Sequence, residues 1–194
     1  IDKPLRSHHK FNEHATVATV AEAIEAGRNV ALISDAGTPG ISDPGFLLVR
    51  TCVEAGIEVE TLPGATACIP ALVQSGFPCD RFCFEGFLPA DKKERKEILE
   101  ELKNETRTII LYEAPHHLVK TLTDLSENLG DRKITLCREL TKKFETILPT
   151  TLDEALKKYE EEEPRGEYVL VVAGKSREEK KQEAIAEWES MTIE

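Results

Sequence analysis

The chain has 194 residues, with 36 acidic against 25 basic side chains and a formal net charge of −11. This length suits one large domain or two small ones, and the acidic balance disfavours nonspecific attraction to nucleic acid or anionic membranes while leaving room for a local basic patch. No apolar run is long enough to cross a bilayer, so we expect no membrane partner and a cytoplasmic protein. Five cysteines without a CxxC pair predict reduced thiols, most of them in the core, and no zinc site.

Apolar spacing predicts alternating helices and strands in the first 78 residues. In chain order these elements are a helix over 16–26, a strand at 29–33, a helix from Pro44 to Gly56 and a strand at 57–62. Asp43 is expected to cap the second helix, because Asp followed by Pro is a common helix start. Fully apolar strands alternating with helices are typical of a largely parallel sheet with helices on both faces.

The rhythm breaks at Gly76–Asp80, which we take as a domain boundary. Beyond it the pattern predicts strand 81–85, a helix from Asp91, strand 108–112, a helix over 115–130, strands 133–137 and 144–148, a helix from Thr151 and strand 168–172. The two strands with a short connection imply antiparallel pairing, so the second sheet should be mixed. The predicted organisation is an α/β domain over 1–78, a second α/β domain over 79–176 and a charged helical tail over 177–194.

Two loops rich in small residues follow the strands of the first half. Residues 34–45 read SDAGTPGISDPG, and residues 63–67 read PGATA. In open α/β sheets ligands bind beyond the carboxyl ends of strands, and glycines allow the backbone to come close to a ligand. A tight turn without a ligand is the alternative. We expect the two loops to lie on one edge of the sheet as the walls of a cleft, and we expect no metal there.

Polar residues follow two strands of the second half. Glu113 and His116 are candidate acid/base groups, or else ordinary residues of a helix N-terminus. The segment 138–143 holds the best basic cluster of the chain, formed by Arg138, Lys142 and Lys143. It suits phosphate groups, although a charged hairpin would have the same composition.

Five segments in this order resemble one family. They are SDAGTPGISDPG, the LPGA turn at 62–65, DRFCFEGFLPA at 80–90, RTIILYEAPH at 107–116 and RELTKKFET at 138–146. Together they resemble the branch of the tetrapyrrole methylase superfamily named ribosomal RNA small subunit methyltransferase I. The similarity runs from about Asn12 to Lys175.

The resemblance implies an S-adenosylmethionine-dependent enzyme that methylates a cytidine ribose 2′-hydroxyl in 16S ribosomal RNA, within the assembled small subunit. It implies two α/β domains with the cofactor in the cleft between them, and a homodimer. It also implies a first strand and a Gly-rich GTPxGN loop upstream of Ile1, where this sequence starts.

The resemblance also assigns residues to roles. The implied cofactor contacts are Ala36, Gly37, Thr38, Pro39, Ile41, Ala65, Thr66, Tyr112, Glu113, Leu140 and Ala173. Arg138, Lys142 and Lys143 would contact RNA. Because a 2′-hydroxyl must lose its proton on methylation, Glu139 or Glu113 is hypothesised to accept it.

Two other functions stay open. The same fold carries methylases of porphyrin-like rings or of a modified protein histidine. A noncatalytic protein that binds a ligand or RNA is the second alternative, supported by the lack of the implied first loop in this sequence.

Overall fold

The computed structural model describes residues 3–176 together with 178, 180–182, 185 and 188. The charged tail predicted over 177–194 therefore lies mostly outside the described residues. The chain divides into two compact units, Ile1–Thr66 and Ala67–Glu194. We call them unit 1 and unit 2.

Unit 1 contains two helices, α1 (Glu13–Glu25) and α2 (Phe46–Glu54), close to the two predicted ones. Their contact buries Val17, Leu48 and Cys52. The N-terminus of α2 is capped from α1, because the Glu13 carboxylate accepts hydrogen bonds from the backbone N–H groups of Gly45 (2.9 Å) and Leu47 (3.3 Å). This carboxylate satisfies donors that a helix start leaves unpaired.

The parallel sheet predicted for the first half is not formed in unit 1. Among residues 3–66 the structure contains no β-strand, and the segments 29–33 and 57–62 have no ladder partner. Most of their apolar side chains are exposed to solvent, with Ile33 and Leu62 each 73% exposed. The physical reason is that an apolar segment becomes a strand only where a neighbouring strand supplies hydrogen-bond partners.

Unit 2 is built on one five-stranded sheet. Its strands are β1 (Phe82–Gly86), β2 (Thr108–Glu113), β3 (Lys133–Arg138), β4 (Thr146–Thr151) and β5 (Tyr168–Val172). The order is β1-β2-β5-β3-β4, in which β1 and β2 are parallel and the other three pairings are antiparallel. The mixed sheet and the antiparallel β3–β4 pair confirm the prediction.

Four helices cover the two faces of this sheet. They are α3 (Cys68–Ser75), α4 (Lys92–Lys103), α5 (Leu118–Leu129) and α6 (Leu152–Glu161), and a 3₁₀ turn over Pro115–His117 precedes α5. Helices α4, α5 and α6 share one core with the sheet, and α3 packs on the opposite face. Asp91 caps α4 as expected, since its carboxylate accepts from the N–H groups of Lys93 and Glu94.

Alternation along the central strands sorts their side chains between the two cores. In β2, Ile109 and Leu111 face α4, α5 and α6, whereas Ile110 faces α3. Strands buried on both faces must be apolar at every position, which explains why β2 and β5 read as continuous apolar runs.

Helix α3 belongs to unit 2 in this structure. Its buried residues Cys68, Ala71 and Leu72 pack against the β2, β3 and β5 side chains. The sequence placed the domain boundary at 78, after this helix, because the glycine and prolines at 76–78 are a strong local break. The compact units of the structure divide at Thr66, because the buried face of α3 packs against the sheet of unit 2. The division into domains at 78 stays a prediction.

Four of the five cysteines are buried and all five are free. Burial raises the pKa of the Cys83 and Cys137 thiols to about 11. Such thiols are poor nucleophiles at neutral pH, as expected for core cysteines.

One carboxylate stabilises the turn between α4 and β2. Because its charge is needed, we expect the stability of the protein to fall when acid protonates it. Glu105 accepts from the N–H groups of Thr106 and Arg107 (2.7 Å each) and pairs with the Arg107 guanidinium at 2.6 Å. The Arg107 side chain, followed by these backbone N–H groups, lowers the pKa of Glu105 from 4.5 to about 2.

Because the folded pKa is depressed, this stabilisation is complete above pH 4.5 and is lost as the pH falls through about 2. We expect Glu105→Gln to lower the urea midpoint at pH 7, and the difference from the wild type to shrink between pH 4.5 and 2. Urea titrations followed by circular dichroism measure this. A difference that is constant with pH would show that the Glu105 charge does not stabilise the turn.

Candidate active site

In unit 1 the two loops rich in small residues lie against each other. The backbone N–H of Thr38 donates to the carbonyl of Ala65 at 2.9 Å, and the Thr38 hydroxyl donates to the same oxygen at 3.3 Å. The two loops are therefore in direct contact, and their role as walls of a ligand cleft stays a prediction. The contact brings Ala36, Gly37, Thr38 and Pro39 next to Ala65 and Thr66, while Ile41 lies further along the loop with half of its surface exposed.

Gly37 is the position where this turn requires a glycine. Its φ of 77° is in the left-handed region, and a Cβ built there would lie 2.7 Å from the Ala65 carbonyl oxygen. The contact of the two loops thus leaves no room for a side chain. Residues 35–37 are exposed, and a glycine there allows a ligand to approach the backbone closely.

Asp43 does not cap α2, contrary to the sequence-based expectation. The N-cap residue is Gly45, with a φ of 147°. The Glu13 carboxylate accepts the hydrogen bond from its backbone N–H. Asp43 instead accepts a hydrogen bond from the Ser34 hydroxyl at 2.6 Å, so it closes the loop between its two ends. Glu13 lies 32 residues before Gly45, and no local pattern in the sequence links the two.

In unit 2 the polar segments that follow β2 and β3 meet at one edge of the sheet. The register pairs Glu113 at the end of β2 with Tyr168 at the start of β5, and Tyr168 with Arg138 at the end of β3. The candidate residues 112–113 and 138–143, about 25 positions apart in the sequence, therefore lie near one another.

Tyr112 points to the α3 face of this edge. Its hydroxyl accepts a hydrogen bond from the Cys68 N–H at the start of α3 (3.1 Å), and Leu140 packs against the same core. Burial, together with the neighbouring Cys68, raises the pKa of Tyr112 to about 12, so the phenol is neutral at physiological pH. The structure thus brings Tyr112 and Leu140 together on one face.

Glu113 points to the opposite face, as the next residue in a strand must. It is 5% exposed, and its carboxylate accepts hydrogen bonds from the Ala114 N–H (2.8 Å) and from the Thr121 hydroxyl. Thr121 in turn accepts from Arg95 at 2.8 Å, and Arg95 pairs with Asp124 at 2.6 Å. Glu113 is therefore one end of a buried hydrogen-bonded chain that reaches α4.

Glu139 begins the loop between β3 and β4 and has an unusual backbone. Its φ is 51° and that of Thr141 is 64°. Oε1 of Glu139 accepts from the Glu167 N–H at 2.8 Å and from Lys142 Nζ at 3.0 Å, and Oε2 accepts no hydrogen bond from a described residue. The Glu167 N–H, followed by Lys142, lowers the pKa of Glu139.

The three predicted RNA-contacting residues differ in their surroundings. Lys142 pairs with both Glu139 and Glu167, which raises the pKa of its ammonium. Arg138 donates to the Phe144 carbonyl at 3.2 Å, and the Lys143 ammonium lies 5.6 Å from the centre of the Phe144 ring. Lys142 is thus already neutralised by two carboxylates, a fact that the spacing of basic residues does not reveal.

Ala173 lies at the other edge of the sheet. It follows the end of β5, and its N–H donates to the carbonyl of Lys133 at the start of β3. Because β5 runs antiparallel to β2, Ala173 is separated from Tyr112 and Leu140 by the length of the strand. Neither Ala173, at this far edge, nor Glu113, on the opposite face, is brought beside the side chains of Tyr112 and Leu140.

Two aromatic residues near Tyr112 were not among the predicted site residues. The rings of Phe84 and Phe87 contact Tyr112 edge to face, at centroid distances of 5.0 and 5.8 Å, and Phe87 is 54% exposed. An exposed ring beside a tyrosine is a surface on which a planar base can stack. The alternating aromatics of DRFCFEGF were the available signal, since period-two spacing places Phe82 and Phe84 on one face.

No helix within the described residues is long and apolar enough to cross a membrane. The part of the chain that the structure describes also contains no group of three or more His, Cys, Asp and Glu side chains placed to hold a metal ion.

Comparison with known proteins identifies the class to which this fold and these loops belong. The family model described as Tetrapyrrole (Corrin/Porphyrin) Methylases matches residues 1–156. A solved structure titled methyltransferase CobJ superposes with a TM-score of 0.62 at 24% identity, covering 88% of this chain and 74% of that one. The chain belongs to the tetrapyrrole methylase family.

Within this family, relatives that are 41–50% identical to this chain carry the name ribosomal RNA small subunit methyltransferase I. The relative from Synechocystis is 50% identical over 181 residues, which cover 93% of this chain and 65% of the relative. The relative from Thermotoga maritima is 41% identical over 175 residues, which cover 90% of this chain and 78% of the relative. The chain spans slightly less than two thirds of the length of the Synechocystis relative.

Proposed function

We propose that this chain carries out S-adenosylmethionine-dependent methylation of small-subunit (16S) ribosomal RNA, and that the acceptor is a cytidine ribose 2′-hydroxyl. The observation that carries the proposal is the 41–50% identity to relatives of that name over nearly the whole chain, including both loops of unit 1 and the sheet edge of unit 2. The cytidine and the 2′ position come from the resemblance of the five sequence segments.

The residues present suit the proposed cofactor. Methylases of this family use S-adenosylmethionine, whose bound sulfonium supplies an activated methyl group. In unit 1 the turn around Gly37 is exposed, and Ala36, Ala65 and Thr66 are small. Unit 2 would contribute Tyr112 and Leu140. The Ala173 contact remains a proposal that its place at the far edge of the sheet does not favour.

The chain's own groups would act by positioning and by proton transfer. Methylation forms a bond from the ribose oxygen to the methyl carbon, breaks the sulfur–carbon bond and releases the hydroxyl proton. Holding oxygen, methyl and sulfur in line accounts for much of the rate in such a reaction. A carboxylate within reach of the hydroxyl would accept the proton.

Of the two candidate bases, Glu139 fits the task better than Glu113. Both oxygens of Glu113 are occupied inside the protein, by Ala114 and Thr121. Glu139 has one oxygen that accepts nothing from the described residues. Its lowered pKa keeps it ionised at neutral pH but makes it a weaker base, so its contribution should be modest.

We expect Glu139→Gln to lower kcat for methylation of isolated small subunits by about a hundredfold, within the usual range for a general base, with little change in KM. Glu113→Gln is the matched variant, and it should instead lower the stability of unit 2. Tritium transfer from labelled S-adenosylmethionine measures the methylation rate of each variant, and urea unfolding measures its stability. If both variants methylate small subunits at the normal rate, neither Glu139 nor Glu113 is the general base.

A methylase with another substrate is the competing proposal within the same fold. Parallel transfer assays with small ribosomal subunits and with a porphyrin-like ring distinguish the two, and transfer to the ring alone would overturn the RNA assignment. Calorimetry with S-adenosylmethionine tests the noncatalytic alternative, because absence of binding would leave no methyl donor.

The remaining partners follow from the same proposal. We propose a cytoplasmic homodimer that acts on RNA within the assembled small subunit, through Arg138, Lys142 and Lys143. Since Lys142 is already paired with two carboxylates, this surface should contribute few phosphate contacts and a modest dependence of affinity on salt. Sedimentation of the purified chain tests the dimer.

A further inference from the structure

Helices α4 and α5 of unit 2 form a groove of about 370 Å³ that is strongly basic in an acidic protein. Four of its lining residues are basic and only one is acidic. The basic residues are Lys92, Arg95 and Lys96 of α4 and Lys120 of α5, and the acidic one is Asp124. Positions 92, 95 and 96 share one face of α4, because residues three and four apart on a helix are neighbours.

The lysines of this groove are free, unlike Lys142. Within the described part of the chain, Lys92, Lys96 and Lys120 make no salt bridge or side-chain hydrogen bond, and all three are exposed. Lys93, on the same helix but outside the groove, pairs with Glu97 at 3.8 Å. The three lysines therefore concentrate positive charge that no carboxylate of the groove's lining neutralises, since Asp124, the acidic residue of that lining, is paired with Arg95.

Arg95 forms the fixed floor of the groove. It is 8% exposed, and its guanidinium is held by Asp124 at 2.6 Å and by Thr121 at 2.8 Å. Thr121 also donates to Glu113, so the floor of the groove is joined by hydrogen bonds to the sheet edge at the end of β2. A rigid guanidinium among flexible ammonium groups is a combination suited to phosphate oxygens.

We propose that this groove binds phosphate groups of the RNA backbone, as a second RNA-contacting surface besides the loop between β3 and β4. The proposal rests on the proposed function, and it places most of the phosphate contacts on α4 and α5. An acidic protein is a weaker candidate as partner, since Leu99 is the only apolar residue among the groove's lining residues and protein interfaces depend on buried apolar anchors.

The test compares two triple variants that remove the same charge. The groove variant is Lys92→Gln, Lys96→Gln and Lys120→Gln, and the control is Lys93→Gln, Lys103→Gln and Lys157→Gln, which changes exposed helical lysines outside the groove. Gln and Lys have similar helix propensity, so both variants should fold. The readout is binding of a small-subunit ribosomal RNA transcript to the purified chain at several salt concentrations.

We expect the groove variant to bind RNA about fiftyfold more weakly near physiological salt, and the slope of log affinity against log salt to become shallower by about 2, since each lost phosphate contact removes roughly 0.7 to 0.9. The control should stay within about twofold of the wild type, and inorganic phosphate at constant ionic strength should compete only weakly. Equal losses in both variants, or an unchanged slope in the groove variant, overturn the proposal.

Further measurements separate this proposal from the proposed function. If the wild type binds and methylates RNA and the groove variant does so equally well, only the groove is wrong. If the wild type neither binds RNA nor methylates it, both are wrong. If polyglutamate binds the wild type but not the groove variant, while RNA binds both equally well, the groove takes an acidic protein and the RNA assignment is overturned.

Discussion

Replacing Gly37 by alanine should weaken binding of S-adenosylmethionine by about a hundredfold, which corresponds to nearly 3 kcal/mol at 1.4 kcal/mol per factor of ten. The methyl group would lie 2.7 Å from the Ala65 carbonyl oxygen, closer than real Cβ contacts come. Either the two loops separate, which breaks the Thr38–Ala65 hydrogen bonds, or the turn changes its conformation. Both outcomes disturb the backbone surface proposed to hold the cofactor.

Gly40→Ala is the matched control for this effect. Gly40 has a similar φ of 82°, so alanine meets the same left-handed strain there, but the nearest atom to its Cβ would be 4.0 Å away. Calorimetric titration of both variants with S-adenosylmethionine distinguishes the effect of backbone strain at a positive φ from the effect of the close contact with Ala65. If the two variants lose affinity equally, the close approach of the loops has no special part in binding.

Replacing Arg95 by methionine should lower the free energy of unfolding of unit 2 by about 3 kcal/mol, the lower part of the range for removing one partner of a buried ion pair. The variant leaves Asp124 without its partner at 2.6 Å and Thr121 without its donor at 2.8 Å. The estimate is at the low end because the Asp124 side chain is 25% exposed and regains some hydration.

A second substitution tests whether the charge of Asp124 is the cause. Asp124→Asn in the Arg95→Met background should recover part of the loss, because it removes the unpaired carboxylate. Lys93→Met, at an exposed position of the same helix, should change stability by less than about 0.5 kcal/mol. Urea unfolding followed by circular dichroism measures all three variants. A small effect of Arg95→Met would mean that the buried chain does not stabilise unit 2.

The elements of unit 2 were predictable from the sequence because their patterns are local. The predicted helix starts at Asp91 and Thr151 are the caps of α4 and α6, and both side chains accept hydrogen bonds from backbone N–H groups of the first turn. The continuous apolar runs of β2 and β5 indicated strands buried on both faces, and the short connection from β3 to β4 indicated an antiparallel pair. The segments 29–33 and 57–62 had equally good local patterns but did not become strands, because no neighbouring strand pairs with them.

The candidate site was predictable in its segments but not in its contacts. The glycines of residues 34–45 indicated a loop that a ligand approaches. The contact of Gly37 with Ala65 explains why one of them must be glycine, and the approach of a ligand stays a prediction. The sequence could not indicate that Lys142 is neutralised by Glu167, which lies 25 residues later. It also could not indicate the different partners of the adjacent residues Tyr112 and Glu113. Their side chains lie on opposite faces of the sheet, where Tyr112 bonds to Cys68 and Glu113 to Thr121.

By itself, the sequence determined the family, the helices and the strands of unit 2, because motif order, capping residues and apolar periodicity act over a few residues. Only the tertiary structure decided which charges are free. Arg95, Thr121 and Glu113 form one chain, and Lys92, Lys96 and Lys120 share one groove, because α4 and α5 pack side by side on the same face of the sheet. Electrostatic interactions depend on distance in space, so residues far apart in the sequence determine whether a lysine is paired or open to a phosphate.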